Sequence, residues 1–122
     1  MSKKIIVAED SSVIQNLTKR ILSIQNYNIT SVKNGQQVLD KMNKDTYDLI
    51  LLDINMPIMD GMECARSIRS RDDESKSIPI IAITGNAKNY SMDDFKNVGI
   101  DDYLPKPLDY DAMVEMVKKY LD

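Results

Sequence analysis

Short apolar runs and helix-period segments alternate along the chain, at 4–8, 12–26, 28–33, 35–44, 48–53, 61–69, 78–84, 88–98, 101–104 and 109–121. The odd members of this series read as strands and the even members as helices, a (βα)5 pattern. Strands one, three and four are continuous apolar runs, as expected for strands covered on both faces, whereas strand two is more polar and reads as an edge. In the first helix Val13, Leu17, Ile21 and Ile24 form one apolar stripe, and Ser12 with Gln15 has capping-box spacing. In the last helix Ala112, Met113, Met116, Val117 and Leu121 share a face, with Asp109 and Asp111 at its start and Lys118-Lys119 near its end, matching the helix dipole. The fourth helix is the weakest: Asn89, Ser91, Asp93 and Asp94 lower its propensity, Tyr90, Met92, Phe95 and Val98 supply its apolar face, and Gly99 is its expected C-cap. Residues 70–77 read as a solvated loop, and no internal repeat or linker interrupts the series.

Right-handed crossovers with this alternation predict an α/β fold: a doubly wound parallel sheet in the order 2-1-3-4-5, flavodoxin-like, with three αβα layers. The expected organisation is one domain over 1–122. In that order strands one and three are neighbours at the switch point, where ligands bind beyond the carboxyl ends. Ile5-Ile6-Val7-Ala8 ends at Glu9-Asp10, Leu49-Ile50-Leu51-Leu52 at Asp53, and Ile80-Ile81-Ala82-Ile83 at Thr84. Three carboxylates and a hydroxyl therefore crowd one crevice. Two like charges about 4 Å apart repel by roughly 4 kcal/mol at an effective dielectric near 20, so such a crevice asks for a divalent cation.

Composition narrows the chemistry. Hydrophobic residues make up 43% and charged residues 29% of 122, ordinary for a soluble globular protein. No apolar run approaches the roughly 20 residues that span a bilayer, and the start leads straight into a strand, so a cytoplasmic protein without membrane attachment is expected. A net charge of −3 offers nucleic acid no basic stripe. Cys64 stands alone, unable to form an internal disulfide, and reads as a small core filler. The absence of histidine excludes Ser-His-Asp and Cys-His nucleophile systems and His-ligated metals. Carboxylate and carbonyl oxygens suit magnesium, calcium or manganese.

Glu9-Asp10 after strand one, Asp53 with Met56-Pro57 and Asp60-Gly61 after strand three, Thr84 after strand four and Lys106-Pro107 after strand five form an ordered set. With this set the chain resembles the receiver domain of two-component response regulators, including the single-domain chemotaxis type, over essentially its whole length. The residues alone offer Asp53 as a nucleophile for a phosphoryl group, with a second metal ligand or a capping acid as plainer readings. The resemblance implies that Asp53 is the phosphoacceptor and that Mg2+, or Mn2+, is held directly by Asp10 and Asp53, through water by Glu9, and by the backbone carbonyl of Asn55. The Asn55 side chain is then left to orient or block the hydrolytic water. Lys106 supplies a positive charge and Thr84 a hydroxyl for the phosphoryl oxygens. The bond before Pro107 is expected to be cis. By the same resemblance, phosphorylation moves Thr84 and turns the Tyr103 ring inward, altering the face built from helix four, strand five and helix five, which signals to a downstream protein. The plainer reading of Tyr103 is a half-buried strand residue.

The expected function is a phospho-accepting switch charged by a histidine kinase, a histidine phosphotransfer protein or a small phosphodonor, not an enzyme beyond its own self-catalysed phosphorylation and dephosphorylation. Without histidine the chain is not the kinase half. Because it ends just after helix five, a stand-alone regulator is the simplest expectation. The stretch 78–87 looks like receivers of hybrid kinases and phosphorelays, making a domain cut from a longer protein the runner-up. A pseudo-receiver that only binds partners is the reading of a different class, and intact Glu9, Asp10, Asp53, Thr84 and Lys106 argue against it. A magnesium phosphohydrolase ranks last, since its nucleophile would follow strand one with a second Asp two residues on. No G-x-x-x-x-G-K or G-x-G-x-x-G run supports nucleotide binding.

Overall fold

Side chains alternate across a strand, so a continuous apolar run must find a helix layer on each side. In the computed structural model, which describes residues 2–85 and 90–122, this is how the chain is built. The elements are β1 (Lys4–Ala8), α1 (Ser12–Ile24), β2 (Asn28–Val32), α2 (Gly35–Met42), β3 (Leu49–Asp53), α3 (Gly61–Arg69), a 3-10 turn (Glu74–Ser77), β4 (Ile80–Thr84), α4 (Met92–Asn97), β5 (Asp102–Pro105) and α5 (Tyr110–Leu121). The five strands are parallel in the order β2-β1-β3-β4-β5, with β2 at an edge as its polarity predicts. Ile6, Ala8, Ile50, Leu52, Ile80 and Ala82 pack with Val38, Ala65, Ile68 and Phe95 of α2, α3 and α4. Their alternates Ile5, Val7, Leu49, Leu51, Ile81 and Ile83 pack with Leu22, Met113 and Val117 of α1 and α5. Each Val, Leu, Ile, Met or Phe side chain among them, fully buried, contributes roughly 1.5–3 kcal/mol before conformational entropy is counted. Among the described residues no helix is long and apolar enough to cross a membrane.

The first helix corrects the sequence reading. Its N-cap is Ser11, whose hydroxyl accepts from the Ile14 amide at 3.4 Å, so Ser12 is the first helical residue and makes no capping box with Gln15. The buried residues of α1 are Gln15, Thr18 and Leu22, while Val13 is 78% and Ile24 72% exposed, Leu17 is exposed, and only Ile21 of the expected stripe packs against the core. The reason is local hydrogen bonding. Gln15 Nε2 donates to the carbonyls of Val32 at 2.7 Å and Glu9 at 3.2 Å, and this pairing turns the polar residue inward.

The fourth helix also differs. Its expected first residues, 88 and 89, lie outside the described residues, and Tyr90 and Ser91 precede a helix that runs only Met92–Asn97. A reciprocal capping box sets this start: Ser91 Oγ accepts from the Asp94 amide at 3.2 Å and Asp94 Oδ2 from the Ser91 amide at 2.8 Å. Past its end Gly99 has φ +87°, as the capping expectation requires. Arg69 staples this turn to its neighbours, donating to the carbonyls of Gly99 at 2.8 Å and Ile78 at 2.7 Å and pairing with Asp101 at 3.1 Å.

Candidate functional site

Parallel strands bring their carboxyl ends to one edge, where the backbone beyond each strand must be satisfied by loops. Asp53 closes β3 and is buried, with Oδ1 accepting from the Asn55 amide at 3.0 Å and Oδ2 from Lys106 Nζ at 2.9 Å. The loop after it is tied back at both ends: the Ile54 amide donates to the Ile83 carbonyl at 3.1 Å and the Gly61 amide to the Ile54 carbonyl at 3.0 Å. Asp60 caps α3 by accepting from the Glu63 amide at 2.9 Å. Between them the Met59 amide donates to the Pro57 carbonyl at 2.7 Å across Ile58, whose φ is +70°. This is a three-residue turn with a β-branched residue in the left-handed region, and Ile58 is 81% exposed at its tip.

Glu9 follows β1 and is buried beside Asp53. Its Oε1 accepts from the Ser11 amide at 3.1 Å, and Oε2 lies 3.7 Å from Lys106 Nζ with no hydrogen-bond partner among the described residues. Burial pushes this carboxyl up to about 7, an effect the Ser11 N–H opposes, Asp53 reinforces and Lys106 opposes. Burial works against the Lys106 charge, and the Asp53 and Glu9 carboxylates more than offset it, so the ammonium pKa is raised. Lys106 follows β5; its amide donates to the Thr84 carbonyl at 2.8 Å, and the Lys106–Pro107 bond is cis as expected. Thr84, the buried last residue of β4, stands in register with Pro105.

The structure thus brings Glu9, Asp53, Thr84 and Lys106 to one strand edge. Asp10 is exposed there, and among the described residues no three His, Cys, Asp or Glu side chains are gathered as a ready cation site. The donor chemistry nevertheless fits a hard cation: carboxylates from two adjacent strand ends, one with a buried oxygen lacking a hydrogen bond, and backbone carbonyls of the loop after Asp53. Tyr103 is half-buried in β5, with its ring 5.6 Å from that of Phe95, which lies 5.8 Å from that of Tyr90. Beside the site Ile14, Lys106, Pro107, Leu108 and Tyr110 line a small apolar recess of about 190 Å³.

Sequence reasoning missed Gln15 and the exposed apolar face of α1. The available signal was a polar residue at the same three-and-four spacing as Thr18 and Leu22, a helix face in its own right.

The model of the response regulator receiver domain family matches residues 5–118. The chain is 37% identical to the hybrid signal transduction histidine kinase I of Dictyostelium discoideum, over 98% of its own length but only 8% of that protein's. It is 30% identical to the polar-differentiation response regulator DivK of Brucella anthropi, covering 99% of this chain and 98% of that one. The solved receiver domain of a Pseudomonas aeruginosa sensor histidine kinase superposes with a TM-score of 0.89 at 29% identity, covering 99% of this chain and 98% of that one. That structure has a magnesium ion coordinated in its active-site cleft.

Proposed function

Because this chain belongs to the response regulator receiver domain family, we propose that it accepts a phosphoryl group on Asp53 and so serves as the switch of a two-component phosphorelay. The observation that carries this is the buried Asp53 carboxylate with one oxygen on Lys106 at 2.9 Å, at the strand edge it shares with Thr84 and Glu9. An Asp53 oxygen attacks the phosphorus, forming an acyl phosphate as the bond to the donor's imidazole nitrogen or small-molecule leaving group breaks. Lys106, displaced from the free carboxylate, pairs with the phosphoryl oxygens, and the Thr84 hydroxyl donates to them. Bound Mg2+, or Mn2+, held by Glu9, Asp10, Asp53 and the Asn55 carbonyl, supplies the charge neutralisation that phosphoryl transfer requires. The Asn55 side chain orients or blocks the water whose later attack on phosphorus releases phosphate and resets the switch. The unit acting here is the single domain 1–122, working in the cytoplasm without contacting nucleic acid.

The phosphodonor is a histidine kinase or a histidine phosphotransfer protein. Its surface must present an imidazole to Asp53; the exposed Val13 in the first turn of α1 and the apolar recess beside Lys106 supply contact area of the right character at that edge, and the exposed Leu17 and Ile24 continue it along the helix away from the site. Readout passes through Thr84 and Tyr103 to the face of α4, β5 and α5 and from there to a downstream protein. Magnesium with a small amido or acyl phosphate should add one phosphoryl group, and Asp53→Asn should add none. Beryllofluoride with magnesium should shift resonances of Thr84 and Tyr103; a response confined to the acidic pocket would instead mark a binding module without a switch.

A further inference from the structure

We propose that Gln15 positions the cation-holding acid pair by fixing the peptide between Glu9 and Asp10. This rests on the phosphoacceptor reading only for the purpose the pair serves. The side chain is buried in the first turns of α1, and its amide nitrogen bridges two carbonyls at the carboxyl edge, Val32 at 2.7 Å and Glu9 at 3.2 Å. Val32 at the end of β2 also accepts from the Glu9 amide at 3.0 Å, so it keeps a partner without Gln15. Among the described residues the Glu9 carbonyl accepts from Gln15 alone.

That carbonyl belongs to the peptide plane that carries the Asp10 nitrogen, and holding it leaves the Asp10 Cα little freedom to swing. From the other side the Ser11 amide holds Glu9 Oε1 at 3.1 Å. Between these two ties Glu9 Oε2 is left turned toward Lys106, and Asp10 is set at the crevice mouth. Groups hydrogen-bonded to a ligating side chain typically tune metal affinity ten- to a hundred-fold, and Gln15, which acts one step further out on the main chain of Glu9, falls at the lower end.

The direct test is Gln15→Met, similar in length and flexibility but with no donor. Its Mg2+ dissociation constant, followed by the amide resonances of Glu9 and Asp10, should rise about ten-fold. Hydrogen exchange at the Ser11 amide, which Glu9 Oε1 holds at 3.1 Å, should accelerate with no metal present. Phosphorylation by a small phosphodonor should slow at limiting Mg2+ and return to within about three-fold of the parent rate at saturating Mg2+. If Gln15→Met does not fold, Gln15→Asn keeps the amide but falls one methylene short of spanning both carbonyls, and the same exchange and affinity changes are expected. A folded variant with parental Mg2+ affinity and parental exchange at Ser11 overturns the proposal. If the parent protein takes no phosphoryl group while Gln15→Met still weakens Mg2+ binding, the phosphoacceptor reading fails and the role of Gln15 stands.

Discussion

Gly61→Ala is the substitution whose cost the structure specifies most sharply. Gly61 opens α3 directly behind Asp53, and a Cβ built there would sit 2.5 Å from the Asp53 carbonyl oxygen and 2.9 Å from the Ile54 Cα. Both obstacles are backbone, one of them on a central strand whose neighbours are buried on both sides, so neither yields cheaply. Overpacking of this kind costs about 1–3 kcal/mol, and the rigid partners place this case at the upper end. Alanine returns up to about 1 kcal/mol in helix propensity, though less at a first-turn position, leaving a net loss of about 2 kcal/mol. For a chain of this size that lowers Tm by roughly 6–12 °C. Gly85→Ala is the matched control, since its Cβ would meet nothing nearer than Lys106 Cδ at 3.5 Å. Urea denaturation with a constant m-value compares the two. Because the atom pushed is the Asp53 carbonyl, the Gly61 variant should also lose Asp53 phosphorylation out of proportion to the fraction unfolded. Equal stability of the two variants would refute the packing argument.

Three further outcomes follow from individual residues. Val13→Asp, at a position 78% exposed, should leave stability within about 0.5 kcal/mol and phosphorylation by a small phosphodonor unchanged, yet slow transfer from a protein phosphohistidine at least ten-fold; equal slowing with both donors contradicts the docking role of α1. Ile58→Asn should stabilise the protein by about 1 kcal/mol in thermal or urea unfolding, because asparagine tolerates the φ of +70° that isoleucine resists. Cys64 is buried and its thiol is pushed up to about 12, chiefly by that burial, so the folded protein should not react with a thiol reagent at pH 8. The sign for stability follows from the same shift: the unfolded thiol ionises near pH 9 while the folded one does not, so each pH unit above that favours unfolding by up to about 1.4 kcal/mol, a slope Cys64→Ala should lack.

The strands were legible because β1, β3 and β4 are apolar without interruption, a pattern only a doubly covered parallel strand requires. The location of Glu9, Asp53 and Thr84 was legible for the same reason, since strand order alone sends those three ends to one edge. The burial face of α1 was not. Periodicity weighs apolar positions and ignores the carbonyls at the ends of β1 and β2, and those carbonyls claim Gln15. In α4 the apolar spacing of Tyr90, Met92, Phe95 and Val98 reads Tyr90 and Ser91 as helical, while the Ser91–Asp94 capping box starts the helix at Met92. Arg69 reads as an ordinary last-turn cation; its bonds to Gly99, Ile78 and Asp101 depend on elements up to 32 residues away. The left-handed Ile58 runs against its own residue type, and strain of that kind is set by the loop's two anchors rather than by local preference.

The most direct measurement is the site of covalent modification. The protein is incubated with Mg2+ and a small amido phosphate, then reduced with borohydride, which converts an aspartyl phosphate to homoserine, and digested for peptide mass spectrometry. The account predicts homoserine at position 53 alone, dependent on Mg2+ and absent from Asp53→Asn. An unmodified Asp53, or equal conversion at Asp10 or Glu9, would contradict it.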